Sequence, residues 1–475
     1  MANSKLETRN AKLDSGKKVL IIGAARSGIA CAKFLVARGA TVALNDQKPF
    51  EEWSSEARAL KDEGIGCVAG ELPGWLLDNI ELVVVSPGVP SKSIPIRYAE
   101  RAGAEVIGEV ELASRHLKGR IVGITGSNGK TTTTALIGQL LKDAGLRVQV
   151  GGNIGTPLIS LVESSVAHGW TVVELSSFQL ETIKDFHPTV AVVLNVTPNH
   201  MDRYESLTDY AAAKHRIFMN QTPSDVAVLN ADDEIVSSWA HGLRAHVVEF
   251  SVDRELAEGL FLRGDELISR TAASAKVLLR RDEMKLRGQH NVENALAALA
   301  AGLACGAAPD SMRETISRFQ PVEHRLEFVR EIDRVKFYND SKATSVDATV
   351  KALEAFATEK GKVVLILGGK GKQAPYEPLA SLVKAHARAL ILIGQDAETI
   401  VRELGEYAPH QRATDMQDAV TRAFAAAQPG DVVLLAPACA SFDMFESFEH
   451  RGRVFKEHVS SLELRVPSSR SIKDA

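Results

Sequence analysis

Short runs of aliphatic and β-branched residues alternate along this chain with longer stretches in which apolar positions recur every three or four residues. The first run, 19–22, leads into Gly23-Ala-Ala-Arg-Ser-Gly28 and then a helical pattern over 29–38 that Gly39 stops. A second run, 41–44, ends at Asn45-Asp46, and a further one, 82–85, ends at Ser86-Pro87-Gly88-Val89-Pro90. Strand, turn, helix, strand and then an acidic residue is how nucleotide-binding α/β sheets begin, and loops at the carboxyl ends of their strands line the ligand crevice. Runs at 121–124, 147–150, 171–174 and 190–195 predict buried parallel strands separated by helices. After Asp225 the runs shorten: 245–250, 266–269, 276–279 and 283–286 predict a small antiparallel appendage before a helix over 291–303. The alternation then resumes, with strands at 363–367, 390–393 and 432–435 between helices at 346–356, 378–386 and 416–427.

One strand-to-helix junction carries chemistry of its own. Gly-Ile-Thr-Gly-Ser-Asn-Gly-Lys-Thr-Thr-Thr, residues 123–133, follows a predicted buried strand and opens a helix that Gly145 ends. In such a loop the backbone N–H groups and the helix N-terminus face phosphate oxygens, and Lys130 brings a positive charge to the outer ones. Thr131 is the hydroxyl placed to ligate Mg²⁺. Gly126 and Gly129 make the loop shorter than the common form, because the position of a first glycine is taken by Ile124. A glycine turn that binds nothing would have no use for Lys-Thr-Thr-Thr behind a buried strand. The fold expected is therefore α/β in three domains. Residues 18–111 form an N-terminal Rossmann-like sheet, 112–320 a central P-loop mononucleotide-binding domain with the appendage, and 321–463 a C-terminal Rossmann-like domain. Residues 1–17 and 464–475 are read as flexible ends.

Composition narrows the function. A net charge of −4 and a pI near 6.4 provide no basic field for nucleic acid. The four cysteines, Cys31, Cys67, Cys305 and Cys439, show no paired spacing and read as reduced thiols. The polar N-terminus lacks a signal-like apolar stretch, and no run approaches the roughly 20 apolar residues that cross a bilayer. These features predict a soluble, cytoplasmic protein in which negatively charged substrates would need local Lys, Arg or helix-end sites. A monomer is expected, though nothing in the composition sets the oligomeric state.

Polar clusters stand where the central strands are predicted to end: Gly151-Gly-Asn153-Ile-Gly155-Thr-Pro157, Glu174-Leu-Ser-Ser-Phe-Gln179, and Asn195-Val-Thr-Pro-Asn-His200-Met-Asp202-Arg203. Glu174 could share a hard cation with Thr131, since Mg²⁺ takes oxygen ligands. Singly, Glu174 could be a solvated strand end, His200 a structural histidine and Lys214 an ordinary helix residue. Together, GITGSNGKTTT, GGNIGTP, ELSSFQLE, NVTPNHMDRY, AAAKHRIF, GQHNVENALAA, EHRLE and NDSKATS resemble the Mur ligase family over roughly residues 18–460. Three further segments are similar to the members that add D-glutamate to UDP-N-acetylmuramoyl-L-alanine. They are Asp340-Ser-Lys-Ala-Thr344, Leu367-Gly-Gly-Lys-Gly-Lys372 and Pro437-Ala-Cys-Ala-Ser441-Phe-Asp-Met-Phe-Glu-Ser-Phe448. The Asp-Asn-Pro-Arg signature of the diaminopimelate-adding relative is absent from the sequence.

The resemblance implies a reaction and a division of labour. ATP phosphorylates the substrate carboxylate, the D-glutamate amine attacks the acyl phosphate, and a tetrahedral intermediate loses phosphate. Lys130, Glu174, His200 and Lys214 would be the catalytic group. Thr131, Glu174, His200 and Lys214 would serve two Mg²⁺ ions, with Lys214 carbamylated. ATP would meet Gly126, Ser127, Asn128, Gly129, Lys130, Thr131, Thr132 and Thr133, together with His290, Asn291, Asn294, Arg325, Asp340 and Lys342. Ser27, Asp46, Ser86, Pro87, Gly88, Asn153, Ser176 and Gln179 would hold the UDP-linked substrate. Thr344, Lys372, Ser441 and Phe448 would hold D-glutamate. Other readings remain open: a Mur-type ligase for a different amino acid, a folylpolyglutamate synthetase (which would have no need of residues 18–110), a dinucleotide oxidoreductase resting on Gly23–Gly28, and an ATP-driven switch. Ala25, in place of the middle glycine, counts against the oxidoreductase because its Cβ obstructs a pyrophosphate.

Overall fold

A computed structural model describes residues 15–90, 93–153, 155–198, 203–286, 288–320, 323–356, 361–371 and 374–462. Residues 1–14 and 464–475 of the expected flexible ends, His200 and Lys372 lie outside these residues. Residues 15–17 are instead tied to residues 39–41, with Gly16 N donating to Gly39 O at 3.0 Å and Thr41 N to Lys17 O at 2.9 Å. Three sheets organise the chain. Strands β1 (Lys18–Ile22), β2 (Thr41–Asp46), β3 (Gly66–Ala69), β4 (Leu82–Val85) and β5 (Glu105–Gly108) pair in parallel in the order β3-β2-β1-β4-β5. The order reverses at β1, and Ile22 lies opposite both Asn45 and Val85. Gly23, Asp46 and Ser86 therefore leave the sheet at one edge, where a switch-point crevice forms. The Arg26–Ala37 helix buries Ile29, Ala32 and Leu35 against Val19, Ile21 and Val42.

The second sheet has nine strands: β6 (Arg120–Thr125), β7 (Val148–Gly152), β8 (Trp170–Glu174), β9 (Val190–Val193), β10 (Val226–Asn230), β11 (His246–Ser251), β12 (Gly259–Arg263), β13 (Glu266–Thr271) and β14 (Ser274–Arg280). Their order is β14-β13-β12-β11-β10-β9-β6-β8-β7. All pairs are parallel from β7 to β12, and β12, β13 and β14 are antiparallel. The appendage is thus continuous with the central sheet. Two expected members of it lie elsewhere. β11 runs parallel to β10, with Val226 opposite His246, and buries Phe250 in the central sheet. Residues 283–286 form no strand; a single tight turn at Arg281–Glu283 leads into them, and Met284 and Leu286 bury their side chains from irregular backbone.

The third sheet comprises β15 (Glu327–Ile332), β16 (Val335–Asn339), β17 (Val363–Gly368), β18 (Ala387–Ile393), β19 (His410–Arg412) and β20 (Val432–Leu435), in the order β15-β16-β20-β17-β18-β19. It is parallel except for the β15–β16 hairpin. That hairpin closes through Asp333 and Arg334, both in left-handed backbone at φ 49° and 62°. Two central residues with positive φ give the turn whose twist suits adjoining strands. The chain forms two compact units: residues 1–283 with 293–317 hold the first two sheets, and 284–292 with 318–475 hold the third. Among the described residues no helix is long and apolar enough to cross a membrane.

Candidate functional site

β6 delivers the chain to the phosphate loop, and the Lys130–Asp143 helix leaves it. Gly129 sits at φ 80°, and a Cβ there would come within 2.3 Å of Asn294 Oδ1. Glycine is required on both counts. Asn294 Oδ1 also accepts a hydrogen bond from Thr133 Oγ1 at 3.2 Å, so this helix position braces the loop from behind. The loop's opposite wall is the segment after β9. Ser127 N donates to Asn195 O at 2.9 Å, and Asn128 N to Asn195 Oδ1 at 2.8 Å. Ser127 Oγ donates to Thr197 O at 3.0 Å and to Tyr210 Oη at 3.2 Å. Thr131, Thr132 and Thr133 are buried at the helix start.

Two lysines converge on this loop. Lys130 Nζ donates to Gly126 O and Ser127 O, each at 2.8 Å. Lys214, on the Leu207–His215 helix, is only 1% exposed and donates from Nζ to the same Gly126 O at 2.8 Å. Burial, and then the charge of Lys130, lower the Lys214 pKa well below its ordinary value. Its ammonium also lies 4.4 Å from the centre of the Tyr210 ring. The solvated-helix reading of Lys214 fails on this burial.

Glu174 ends β8 in register with Ile124, two residues before Gly126. It is 1% exposed. Asn153 Nδ2 donates to its Oε1 at 2.8 Å, while Oε2 is buried with no hydrogen-bond partner among the described residues. A buried carboxylate oxygen left open, beside a loop that gathers two amines and the Thr131 hydroxyl, suits an oxygen-loving cation and phosphate. Immediately downstream, Ser176 and Gln179 form a reciprocal cap: Gln179 N donates to Ser176 Oγ at 3.2 Å, and Ser176 N to Gln179 Oε1 at 3.0 Å.

At the first sheet, a cavity of about 1040 Å³ is lined by Ser27, Asp46, Ser86, Pro87 and Gly88, with Ile94 and Tyr98 on its apolar side. Asp46 Oδ2 accepts from Ala24 N at 2.8 Å, and Ser86 Oγ donates to Gly23 O at 3.1 Å. Sequence alone assigns no role to Arg203, at the end of the segment that follows β9. Its guanidinium donates to Pro87 O at 3.0 Å and Val89 O at 3.2 Å, and stacks 3.9 Å over Phe178. It thereby fastens the Pro87 loop to the central domain. Tyr210 was likewise missed, although its place four residues before Lys214 puts both on one helix face.

The third domain gathers the remaining candidates. His324 and Leu326 hold left-handed backbone at φ 65° and 42°, presenting Arg325 between them. Leu326 N donates to Asp340 Oδ1 at 3.3 Å. Burial raises the Asp340 pKa to about 6, against the lowering effect of Arg325, the Leu326 N–H and Lys342. Lys342 Nζ lies 5.3 Å from the Phe448 ring centre, and Thr344 N donates to Lys342 O at 2.8 Å. Ser441 is buried, and its carbonyl accepts from Met444 N and Phe445 N at 3.1 and 2.8 Å. Asn291 is buried, and desolvation with the nearby Lys351 and Arg325 charges lowers the His290 pKa to about 4.

Family comparisons agree with this layout domain by domain. A Mur ligase MurD-like N-terminal domain matches residues 17–108, a Mur ligase middle domain 124–302, and a Mur ligase glutamate ligase domain 324–439. The UDP-N-acetylmuramoylalanine–D-glutamate ligase of Acidobacterium capsulatum is 48% identical over 446 residues, covering 94% of this chain and 96% of that one. The chain belongs to the Mur ligase family. The enzyme of the same name from Koribacter versatilis is 46% identical, covering 94% of this chain and 98% of its own length. Solved Mur-type ligases share the fold at lower identity. A pseudomurein peptide ligase type C from Methanothermus fervidus superposes with a TM-score of 0.60 at 19% identity, covering 94% of this chain and all of that one. The UDP-N-acetylmuramate-alanine ligase MurC of Thermotoga maritima gives 0.58 at 20%, covering 94% of this chain and 99% of its own. The Mur ligase architecture of three α/β domains expected from the sequence is the one observed.

Proposed function

We infer that this Mur ligase joins D-glutamate to UDP-N-acetylmuramoyl-L-alanine at the expense of ATP, a step in making peptidoglycan precursors. The carrying observation is the near-full-length identity to D-glutamate ligases, reaching 48%. The reading is strengthened by a phosphate loop on which Lys130 and Lys214 meet at one carbonyl beside an open Glu174 oxygen.

Both partners in the reaction are anions, so positive charge must be concentrated where they meet. Lys130 would release Gly126 O and Ser127 O to hold the outer phosphates as the γ-phosphoryl moves to the substrate carboxylate. The D-glutamate amine then attacks the acyl carbon, phosphate leaves, and an amide remains. Thr131, Glu174 and Lys214 are the described residues that would serve Mg²⁺, with His200 as a further candidate. When bound, the metal would offset charge on the phosphate oxygens. Lys214 suits carbamylation because burial favours its neutral amine, and the carbamate would turn a repelling cation into an oxygen donor. Asn291, Asn294, His290, Arg325, Asp340 and Lys342 would serve the nucleotide. Ser27, Asp46, Ser86, Pro87, Gly88, Asn153, Ser176 and Gln179 would serve the UDP-linked substrate, and Thr344, Lys372, Ser441 and Phe448 the amino acid.

The test is phosphate release from ATP with UDP-N-acetylmuramoyl-L-alanine over a panel of L- and D-amino acids. Release strictly dependent on D-glutamate is expected. Release with another amino acid would make this a different Mur-type ligase, and release with none would make it an ATPase of another kind.

A further inference from the structure

The Phe448–Leu462 helix begins under loops that carry separate parts of the proposed chemistry. Arg451, in its first turns, has no exposed surface. Its Nε donates to Ser341 Oγ at 2.9 Å, Nη2 to Ser341 O at 2.8 Å, and Nη1 to Cys439 O at 3.1 Å. Gly369 closes over the same group, since a Cβ there would lie 3.3 Å from Nη1. Every one of these acceptors is a neutral oxygen. The Asp443 carboxylate favours the charge only from beyond hydrogen-bond contact. A buried cation held by neutral oxygens is expensive to keep, and an apolar side chain of similar volume would often be more stable. Desolvation lowers the Arg451 pKa only to about 10, so the charge remains at neutral pH.

The acceptors show what the guanidinium achieves. Ser341 lies between Asp340 and Lys342 on the nucleotide side, and Cys439 lies two residues before Ser441 on the amino-acid side. A planar fork with fixed N–H directions sets a spacing that a flexible ammonium would not. Ser341 Oγ continues the tie by donating to Phe448 O at 2.8 Å. The next residue, Gly452, leaves room for His324, because a Cβ there would sit 2.3 Å from His324 Nδ1.

We propose that Arg451 is a positioning residue whose guanidinium fixes the Asp340–Lys342 turn against the Cys439–Ser441 loop, so that the nucleotide and amino-acid subsites are held in one register. This rests on the D-glutamate ligase reading. Its signature is a paired kinetic effect. Arg451→Lys keeps charge and much of the volume but loses the fork. It should melt within a few degrees of the wild type, yet raise the Michaelis constants for ATP and D-glutamate together. The expected rise is roughly tenfold in each, the scale of losing a hydrogen bond to a charged group. Ser441→Ala, touching one subsite, should raise only that for D-glutamate. If Arg451→Lys does not fold, Ser341→Ala carries the test, since it removes the Nε acceptor and should give the same paired rise at smaller size. A folded Arg451→Lys or Ser341→Ala enzyme with both constants within twofold of the wild type, or with only one changed, overturns the proposal and leaves the ligase reading intact. Wild-type enzyme that makes no product with D-glutamate overturns both.

Discussion

The glycine turns after β1 and β6, each between a parallel strand and a helix, solve different problems. After β1, the turn from Gly23 to Gly28 folds tightly on itself: a Cβ on Gly28 would lie 1.9 Å from Gly23 O. Its Ala24 N–H is already taken by the Asp46 carboxylate, and its basic residue, Arg26, reaches away to donate to Gly155 O. After β6, the turn from Gly126 to Gly129 gives the Ser127 and Asn128 amides to neutral oxygens of Asn195. Two lysines bend onto its carbonyls. The topology is common to both, but the strand end Asp46 gives a carboxylate to an amide of the first turn, whereas Lys130 of the second turn itself and Lys214 of a helix give cations to its carbonyls. The Asp46 carboxylate thus occupies the Ala24 amide of the first turn, while the second turn gathers cations for phosphate. The dinucleotide oxidoreductase reading gives way to the Mur ligase match over all three domains.

The contrast breaks most severely at Lys130. Lys130→Ala should reduce D-glutamate-dependent phosphate release by on the order of a thousandfold or more while the melting temperature holds, because charge on the moving phosphoryl loses its fixed counter-ion. Arg26→Ala at the equivalent turn should change the rate less than about twofold, as surface substitutions usually cost within ~0.5 kcal/mol. Equal effects from the two substitutions, measured at saturating ATP, would mean the turns have been assigned the wrong way round.

Lys214 comes next. Lys214→Ala and Lys214→Arg should each lose about a hundredfold in rate, the upper range for residues that orient a metal site. A short carboxylic acid added to the alanine variant should restore part of the activity. Burial lowers the Lys214 pKa, so its neutral amine persists to lower pH than that of an exposed lysine. Carbon dioxide dependence of the rate should therefore strengthen only as pH falls through that lowered value. An active alanine variant, with unmodified Lys214 in crystals of the wild type, would refute the carbamate.

Ser441→Ala sharpens the division between the domains. Removing a buried hydroxyl beside a charged amino acid should weaken D-glutamate by about 1.5–3 kcal/mol and leave ATP unaffected. Separate titrations of the two substrates would reveal the opposite pattern if Ser441 served the nucleotide.

Much of this was legible in the sequence because it depends on local order. The phosphate loop, the alternating strands and the ends of β2, β4, β8 and β9 follow from short periodic runs and turn residues. What escaped depends on contacts far along the chain. Arg451 reads as a surface helix residue until Ser341, 110 positions away, takes its hydrogen bond. The alanines around Lys214 point to its burial, but not to its partner, the Gly126 carbonyl 88 positions earlier. The β15–β16 hairpin turns through Asp-Arg without a glycine, so the usual signal for positive φ was missing. β11 looked like part of an antiparallel hairpin because strand direction is set by the pairing partner, β10, and not by its own residues.

The smallest expected change in a Michaelis constant belongs to the first turn, and it tests whether Asp46 is wiring or merely a strand end. Its two oxygens accept from Ala24 N at 2.8 Å and Lys48 N at 3.0 Å, joining the glycine turn to the loop after β2 at the rim of the large cavity. Asp46→Asn preserves size and one acceptor but removes the charge and one of these bonds. Losing a single hydrogen bond is worth about 1 kcal/mol, so the Michaelis constant of the UDP-linked substrate should rise roughly fivefold. The constants for ATP and D-glutamate should not move, because those groups are assigned to other sheets. Nicotinamide dinucleotide should still fail to bind, since Ala25 continues to obstruct close approach even after the carboxylate is neutralised. Tighter dinucleotide binding with an unchanged constant for the UDP-linked substrate would show that Asp46 guards the turn without helping to build the substrate site.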